Sequence, residues 1–353
     1  MTLTPLTRGA ATPLVGAAGG LTFFFLNLPL PWVLGSLAAS ALLTQISNFQ
    51  PRLPQSWRSY AMVAIGTMLG SGFTPDVLAR SGTWGISLVA MSLLSIAFCL
   101  VAYGVFRRWG HMDRNTALFA AMPGGLSIVS MLAENYKAEV NRVALCHTAR
   151  LVALLVSAPI VVQMISGIDL ADANRAAYAH REVIDPLNHG LLALAAVASW
   201  LVARRLKFPS GMLLLPLLIS AALHATDIVT AHVPLALSTL AQIVIGSSVG
   251  TRFASYTLVQ FMRDGWLAAV VGVVLAIGSL VAAMLLAPVA GGNSSALFLA
   301  YLPGGAPELG VVALALMIDP AMVAAHHVLR VLLILISLPV LAKCSAYQGA
   351  RKN

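Results

Sequence analysis

Two pairs of residues hold most of the chemistry this chain offers. His147 and Arg150 are three residues apart, and so are His327 and Arg330. On a helix that spacing puts both side chains of a pair on one face. Each arginine lies about ten residues into an apolar segment, too deep to reach water easily. A guanidinium at such depth faces a partner or a polar pathway. Its planar fork suits a carboxylate or phosphate, so one reading is the binding of an anionic solute. The other is an internal salt bridge to Glu134 or Glu308. A third group of residues precedes each pair: Pro123-Gly124-Gly125 and Pro303-Gly304-Gly305. Proline lacks a donor N–H and Gly-Gly is a poor helix former, so a helix must kink or break there. A half-helix that begins inside a membrane points free N–H groups and a partial positive charge into the protein. Glu308 follows the second Pro-Gly-Gly at once. It either caps the half-helix start or exchanges a proton or cation. His326 beside His327 does not suggest a metal site, because adjacent helical residues point to different faces.

These groups share one register. Residues 122–159 align without a gap on 302–339, an offset of 180. The Pro-Gly-Gly, the His, the Arg, Ser157 on Ser337 and Pro159 on Pro339 all coincide. The same offset places Pro29, Leu34 and Leu37 on Pro209, Leu214 and Leu217. It also places Ala61, Ile65, Gly66, Gly70 and Phe73 on Ala241, Ile245, Gly246, Gly250 and Phe253. The chain is an internal duplication.

The elements that carry these residues are apolar. Of 353 residues, 59% are hydrophobic and 9% charged, with a mean hydropathy of +0.88. That is too little polar surface for a water-soluble globule, so an all-α, polytopic integral membrane protein is expected. The net charge of +9 sits in short loops, the bias of cytoplasmic loops, and does not imply nucleic acid. Cys99, Cys146 and Cys344 form no motif, and no cofactor is expected. The N-terminus reads as a first membrane segment rather than a removed signal.

Twelve apolar segments can be drawn: 10–27, 29–47, 57–73, 84–106, 115–134 and 140–165, then 187–203, 209–225, 234–252, 265–288, 295–316 and 320–342. The expected organisation is a membrane repeat over 1–165, an external linker over 166–186 and a second repeat over 187–353. Arg52, Arg58, Arg107, Arg108 and Arg114 mark two loops of the first half. The equivalent loops of the second half have no Lys or Arg; its basic residues (Arg204, Arg205, Lys207, Arg252, Arg263) occupy the other set. Basic loops face the cytoplasm, so the repeats should be inverted, with both termini cytoplasmic and the linker external. Inversion needs an odd number of crossings, which singles out the fifth segment of each half as re-entrant or broken at Pro-Gly-Gly.

With both Pro-Gly-Gly copies and both downstream H-x-x-R pairs in place, the chain resembles the AbrB-type membrane family of bacteria over nearly its whole length. Members of that family are labelled regulators or ammonia monooxygenases, and neither label supplies a mechanism. The family commonly carries Gly-Ala-Asp before the last helix of the first copy. Here Lys137-Ala138-Glu139 stands instead, which predicts a less tight turn and a longer acid.

The reading is a secondary transporter of a small polar or anionic solute in the bacterial inner membrane. Its site would lie at the midplane between the repeats, lined by Pro123, Gly124, Gly125, His147, Arg150, Pro303, Gly304, Gly305, Glu308, His327 and Arg330. Coupling to H+ or Na+ and a homo-oligomeric state are both open. The alternative is a membrane-embedded sensor that regulates gene expression through a bound metabolite. An oxidase is the least expected class, and the chain is not read as an enzyme. Ammonia oxidation needs a redox metal with clustered ligands, and the eight histidines are scattered over loops and separate segments.

Overall fold

A computed structural model describes residues 5–46, 53–123, 129, 133–167, 184–206, 210–290 and 293–350. Most of the expected linker, together with Gly124 and Gly125, lies outside the described residues. All regular structure among the described residues is helical. The first half runs α1 (Pro5–Phe25), α2 (Ser36–Ile46), α3 (Gln55–Gly70), α4 (Pro75–Arg80), α5 (Gly85–Arg108), α6 (Arg114–Ala121) and α7 (Val140–Ser166). The second runs α8 (Pro186–Leu206), α9 (Gly211–Ala225), α10 (Leu235–Gly250), α11 (Trp266–Leu286), α12 (Ser294–Tyr301), α13 (Ala306–Ala315) and α14 (Pro320–Ala350). Among the described residues, four stretches are long and apolar enough to cross a membrane: Pro75–Arg108, Val140–Ser166, Pro186–Leu206 and Phe261–Leu286.

The 180-residue register survives folding. Both α3 and α10 start after a proline, Pro54 and Pro234, and end on equivalent glycines, Gly70 and Gly250. Leu30 and Ser210, equivalent positions at the entry to the second segment, are both left-handed, with φ of 50° and 59°. Lys137 and Met317 form a second such pair, with φ of 55° and 53°. In the first copy Lys137 N–H donates to the Glu134 carbonyl and Ala138 N–H to that of Ala133. In the second, Met317 donates to Leu314 and Ile318 to Ala313. Both are Schellman closures, the tight helix ending that usually takes glycine. The looser turn expected at Lys137-Ala138-Glu139 is therefore not found. The lysine adopts the glycine conformation, and the closing hydrogen bonds hold it there. The Glu139 carboxylate is exposed and lies 3.6 Å from Arg142.

The compact units cut across the repeats. Unit 1 comprises Met1–Gly82, Pro159–Thr257 and Pro307–Ala324; unit 2 comprises Thr83–Ala158, Leu258–Ala306 and Ala325–Asn353. Unit 1 gathers the first three segments of both halves, and unit 2 the fourth and most of the fifth and sixth. Within unit 1 the halves exchange partners symmetrically. Gly66 and Gly70 of α3 lie against the backbone of Leu213 and Leu217 on α9. Gly246 and Gly250 of α10 lie against Val33 and Leu37, at and just before α2. Any side chain on these glycines would collide with backbone carbonyls, so their absence sets the close approach of the helices.

Unit 2 packs around Phe98, Phe106, Phe119, Val143, Val271 and Ile334. Here equivalent helices meet directly. Phe98 on α5 touches Gly278 on α11, its own counterpart 180 residues on, and Gly110 beyond the end of α5 meets Leu267 near the start of α11. Moving towards the C-terminus of one helix moves towards the N-terminus of the other, so α5 and α11 run antiparallel.

Candidate functional site

The fifth segment of each half is broken. In the second half α12 ends at Tyr301, Leu302 turns to an extended conformation (φ −57°, ψ 125°), and α13 starts at Ala306. In the first half α6 ends at Ala121, and Met122 takes the same conformation (φ −58°, ψ 132°). The half-helices α6 and α12 each have eight residues, about 12 Å of rise, and α13 has ten, about 15 Å. None of them alone spans a hydrocarbon core of about 30 Å. Their starts are equivalent too. The Asp113 carboxylate accepts from Thr116 N–H at 2.9 Å, and the Asn293 side-chain oxygen accepts from Ser295 and Ala296 N–H. These are N-caps in one register.

A helix that stops inside the protein leaves carbonyls without partners. The paired His and Arg supply them. His147 Nε2 donates to the Phe119 carbonyl at 2.9 Å. Arg150 donates to the carbonyls of Ala120 (3.1 Å), Ala121 (3.2 Å) and Met122 (2.7 Å). Arg150 Nη2 also lies 3.3 Å from His147 Nδ1. With Nε2 donating to a carbonyl, Nδ1 must be the acceptor, so this network assigns the neutral Nε2–H tautomer. In the second copy His327 Nε2 meets the Leu299 carbonyl at 3.1 Å, and Arg330 donates to Ala300 (2.7 Å) and Leu302. His147, Arg150, His327 and Arg330 are all buried. The arginine partners are carbonyls; neither of the salt bridges weighed from the sequence, to Glu134 or to Glu308, is among them. Each cation also sits at the negative end of a helix dipole. The H-x-x-R pair is a C-cap delivered from the following helix, and it lets α6 and α12 stop in a buried setting.

The remaining expected site residues divide between the two units. Pro123 and Pro303 are buried, and Gly304 and Gly305 half-buried, beside the capped ends in unit 2. Gly304 N–H donates to the Leu302 carbonyl at 2.9 Å, closing the turn. Glu308 belongs to unit 1. It lies in the first turn of α13, is 4% exposed, and makes no hydrogen bond among the described residues. Arg252, also in unit 1, is near enough to interact with it electrostatically.

Two further polar groups of unit 2, His326 and Arg142, make contacts of their own. His326 is fully buried; its Nε2 is 2.9 Å from Ser87 Oγ, and its ring stands edge-on to Tyr301. As adjacency predicts, His326 and His327 serve different partners. Arg142 reaches Asp264 (3.2 Å) and the Gly110 carbonyl (2.9 Å), tying α7 to the turn before α11. Arg252 and Arg142 lack basic counterparts in the other copy, where Gly72 and Met322 stand. Their signal in the sequence is a charge in one copy where the other has none.

No solved structure matches the chain. An Escherichia coli (strain K12) protein named "Putative regulator AbrB" is 26% identical over 331 residues, covering 91% of each chain. The Bacillus subtilis (strain 168) protein YhjN is 26% identical over 353 residues, covering 92% of this chain and 90% of its own. The family described as "Transition state regulatory protein AbrB" matches residues 32–346. That match takes in both breaks and both H-x-x-R caps, and the chain belongs to the AbrB family.

Proposed function

We propose that this chain is a polytopic protein of the bacterial inner membrane, built from two inverted repeats, that acts as a secondary transporter of a small polar or anionic solute. The observation that carries the reading is the duplicated break. Irregular backbone at membrane depth is tolerated where protein buries it or a wet cavity meets it, and paired breaks in duplicated halves build the solute sites of many transporters. Inversion is supported by the antiparallel contact of α5 and α11 at equivalent residues. Both termini and the basic loops are then cytoplasmic, and the 166–186 linker external.

In this reading the arginines and histidines shape the breaks rather than hold the solute. The solute meets the first turn of α13. There Glu308 is the group placed to exchange a proton or bind Na+. The role in this proposal is non-enzymatic.

The test is solute uptake into proteoliposomes by the purified chain, with Gly304→Leu as the disabled control. Uptake that survives Gly304→Leu unchanged removes the break from the mechanism. The second reading is a membrane-embedded sensor, favoured by the name of the Escherichia coli relative. It predicts saturable solute binding without uptake, so the same vesicles separate the two.

A further inference from the structure

Unit 2 holds a cleft of about 680 Å³ that plays no part in the breaks. It lies along the antiparallel pair α5 and α11. Val101 and Val105 form one wall and Val270 and Val274 the other. Val101, Val270 and Val274 are 47%, 45% and 48% exposed, so the groove opens sideways rather than inward. Trp109 and Trp266 stand at one end, 67% and 51% exposed. At that same end the lining becomes charged, with Arg142, Arg263, Asp264 and His111.

We propose that this cleft binds an anionic phospholipid, its phosphate at Arg263 and one acyl chain between the valines. This rests on the membrane reading above. Three features select that occupant. First, charge complementarity: two guanidiniums of the lining share one carboxylate. Arg142 is held by Asp264 at 3.2 Å, and by the exposed Glu139 from outside the cleft. Arg263 bonds the same Asp264 at 3.0 Å while its side chain stays 72% exposed, which leaves its charge available. Arg107 and Arg108 precede Trp109 in the chain, and Arg107 donates to the carbonyl of Met112, a residue of the lining. Second, length: from Val101 to Trp109, and from Val274 back to Trp266, is eight helical residues, about 12 Å. One leaflet's hydrocarbon is about 15 Å deep, so the groove accommodates most of one chain. Third, the tryptophans mark the boundary where amphipathic rings prefer the headgroup level. A soluble anion would leave the valine walls uncovered, and a zwitterionic lipid would bring a headgroup cation towards Arg142 and Arg263 along with its phosphate. Basic pockets between spanning helices at the cytoplasmic face are suited to anionic headgroups.

The test uses the full chain, purified in detergent and stripped of lipid. Resistance of the protein to carbonate extraction from membranes checks the membrane reading separately. Phosphatidylglycerol, phosphatidylcholine with the same acyl chains, and inorganic phosphate are titrated. Bound lipid is counted by native mass spectrometry, and the thermal midpoint is followed. Phosphatidylglycerol should bind at one saturable site and raise the midpoint; the other two should not. Arg263→Ala should weaken phosphatidylglycerol roughly five- to tenfold, the weight of one basic residue at a membrane surface. Val274→Trp, at an exposed position that the fold tolerates, should fill the groove and abolish the saturable site. Arg205→Ala, outside the cleft, should change neither. Equal binding of phosphatidylcholine, or loss of neither site nor shift in both cleft variants, overturns the proposal. A midpoint shift from inorganic phosphate alone overturns it in favour of a soluble-anion site.

Discussion

Replacing Arg150 or Arg330 separates a helix cap from a solute site. Arg150 donates to three carbonyls at the end of α6, and Arg330 to two at the end of α12, its Nε having no hydrogen-bond partner among the described residues. Charge-assisted bonds contribute roughly 1.5–3 kcal/mol in soluble proteins, but side-chain bonds within membranes average about 0.6 and reach about 1.7. Taking about 1–1.7 per carbonyl, Arg150→Met should cost about 3–5 kcal/mol and Arg330→Met about 2–3. Lysine keeps the charge but aims its donors from one point, so it can serve one or two carbonyls at best. Arg150→Lys should therefore lose about 1–3 kcal/mol. The assay is equilibrium unfolding in mixed micelles, with solute affinity measured on the same preparations. A cap predicts a stability loss in the order Arg150→Met, Arg330→Met, Arg150→Lys. It also predicts no rescue when Glu134→Gln or Glu308→Gln is added, because no carboxylate has been stranded. The reasoning is refuted if Arg150→Lys is as stable as the parent yet binds solute tenfold more weakly, or if removing either acid restores Arg150→Met.

Lys137→Gly and Met317→Gly should each stabilise the fold by roughly 0.5–1 kcal/mol, since glycine relieves a left-handed position; unfolding in the same micelles reads this, and a loss in both would contradict the shared closure. Gly70→Ala and Gly250→Ala should each cost about 1–3 kcal/mol, because the new Cβ meets the carbonyls of Leu217 and Leu37; a neutral effect at one site alone would show that the partner exchange is not symmetric. Cysteines placed at Arg108 and Arg205 should label from one side of the membrane and a cysteine at Asp185 from the other; labelling of Arg108 and Arg205 from opposite sides would rule out inverted repeats.

Much of this architecture is legible in the chain because duplication supplies its own control. Segment bounds drawn at 57–73 and 234–252 fall on α3 and α10, and the Pro-Gly-Gly of the second copy falls in the break before α13. A Pro-Gly-Gly, a His and an Arg repeated in one register are constraints that apolar composition cannot produce by chance. The partners of the arginines were not legible. A buried guanidinium in an apolar sequence invites a carboxylate or an anionic ligand, because those are the partners written as side chains. Main-chain carbonyls carry no letter, and only the geometry of a helix that stops inside the protein exposes them. The left-handed Lys137 was hidden for a related reason: the hydrogen bonds that close the turn override the glycine preference.

The asymmetry between the copies tells more about activity than their likeness does. Among the described residues the parts that build the breaks are duplicated: the N-caps at Asp113 and Asn293, the eight-residue half-helices and the His-Arg caps, with the turns at Lys137 and Met317 beyond them. Duplicated parts answer a duplicated problem, which is how to end a helix where water cannot reach its carbonyls. Glu308 and Arg252 answer no such problem. Glu308 stands where the first copy has Ile128. Arg252 stands where the first copy has Gly72, a residue packed so closely on Pro320 and Ala321 that a side chain would crowd them. An opposite pair of charges added to one copy, with Glu308 4% exposed and making no hydrogen bond among the described residues, carries a desolvation cost that capping alone does not require. A helix start needs only an acceptor for its N–H groups, and an exposed Ser or Asp meets that need more cheaply. If the chain moves a solute by coupling it to an ion, the coupling belongs with the unduplicated pair.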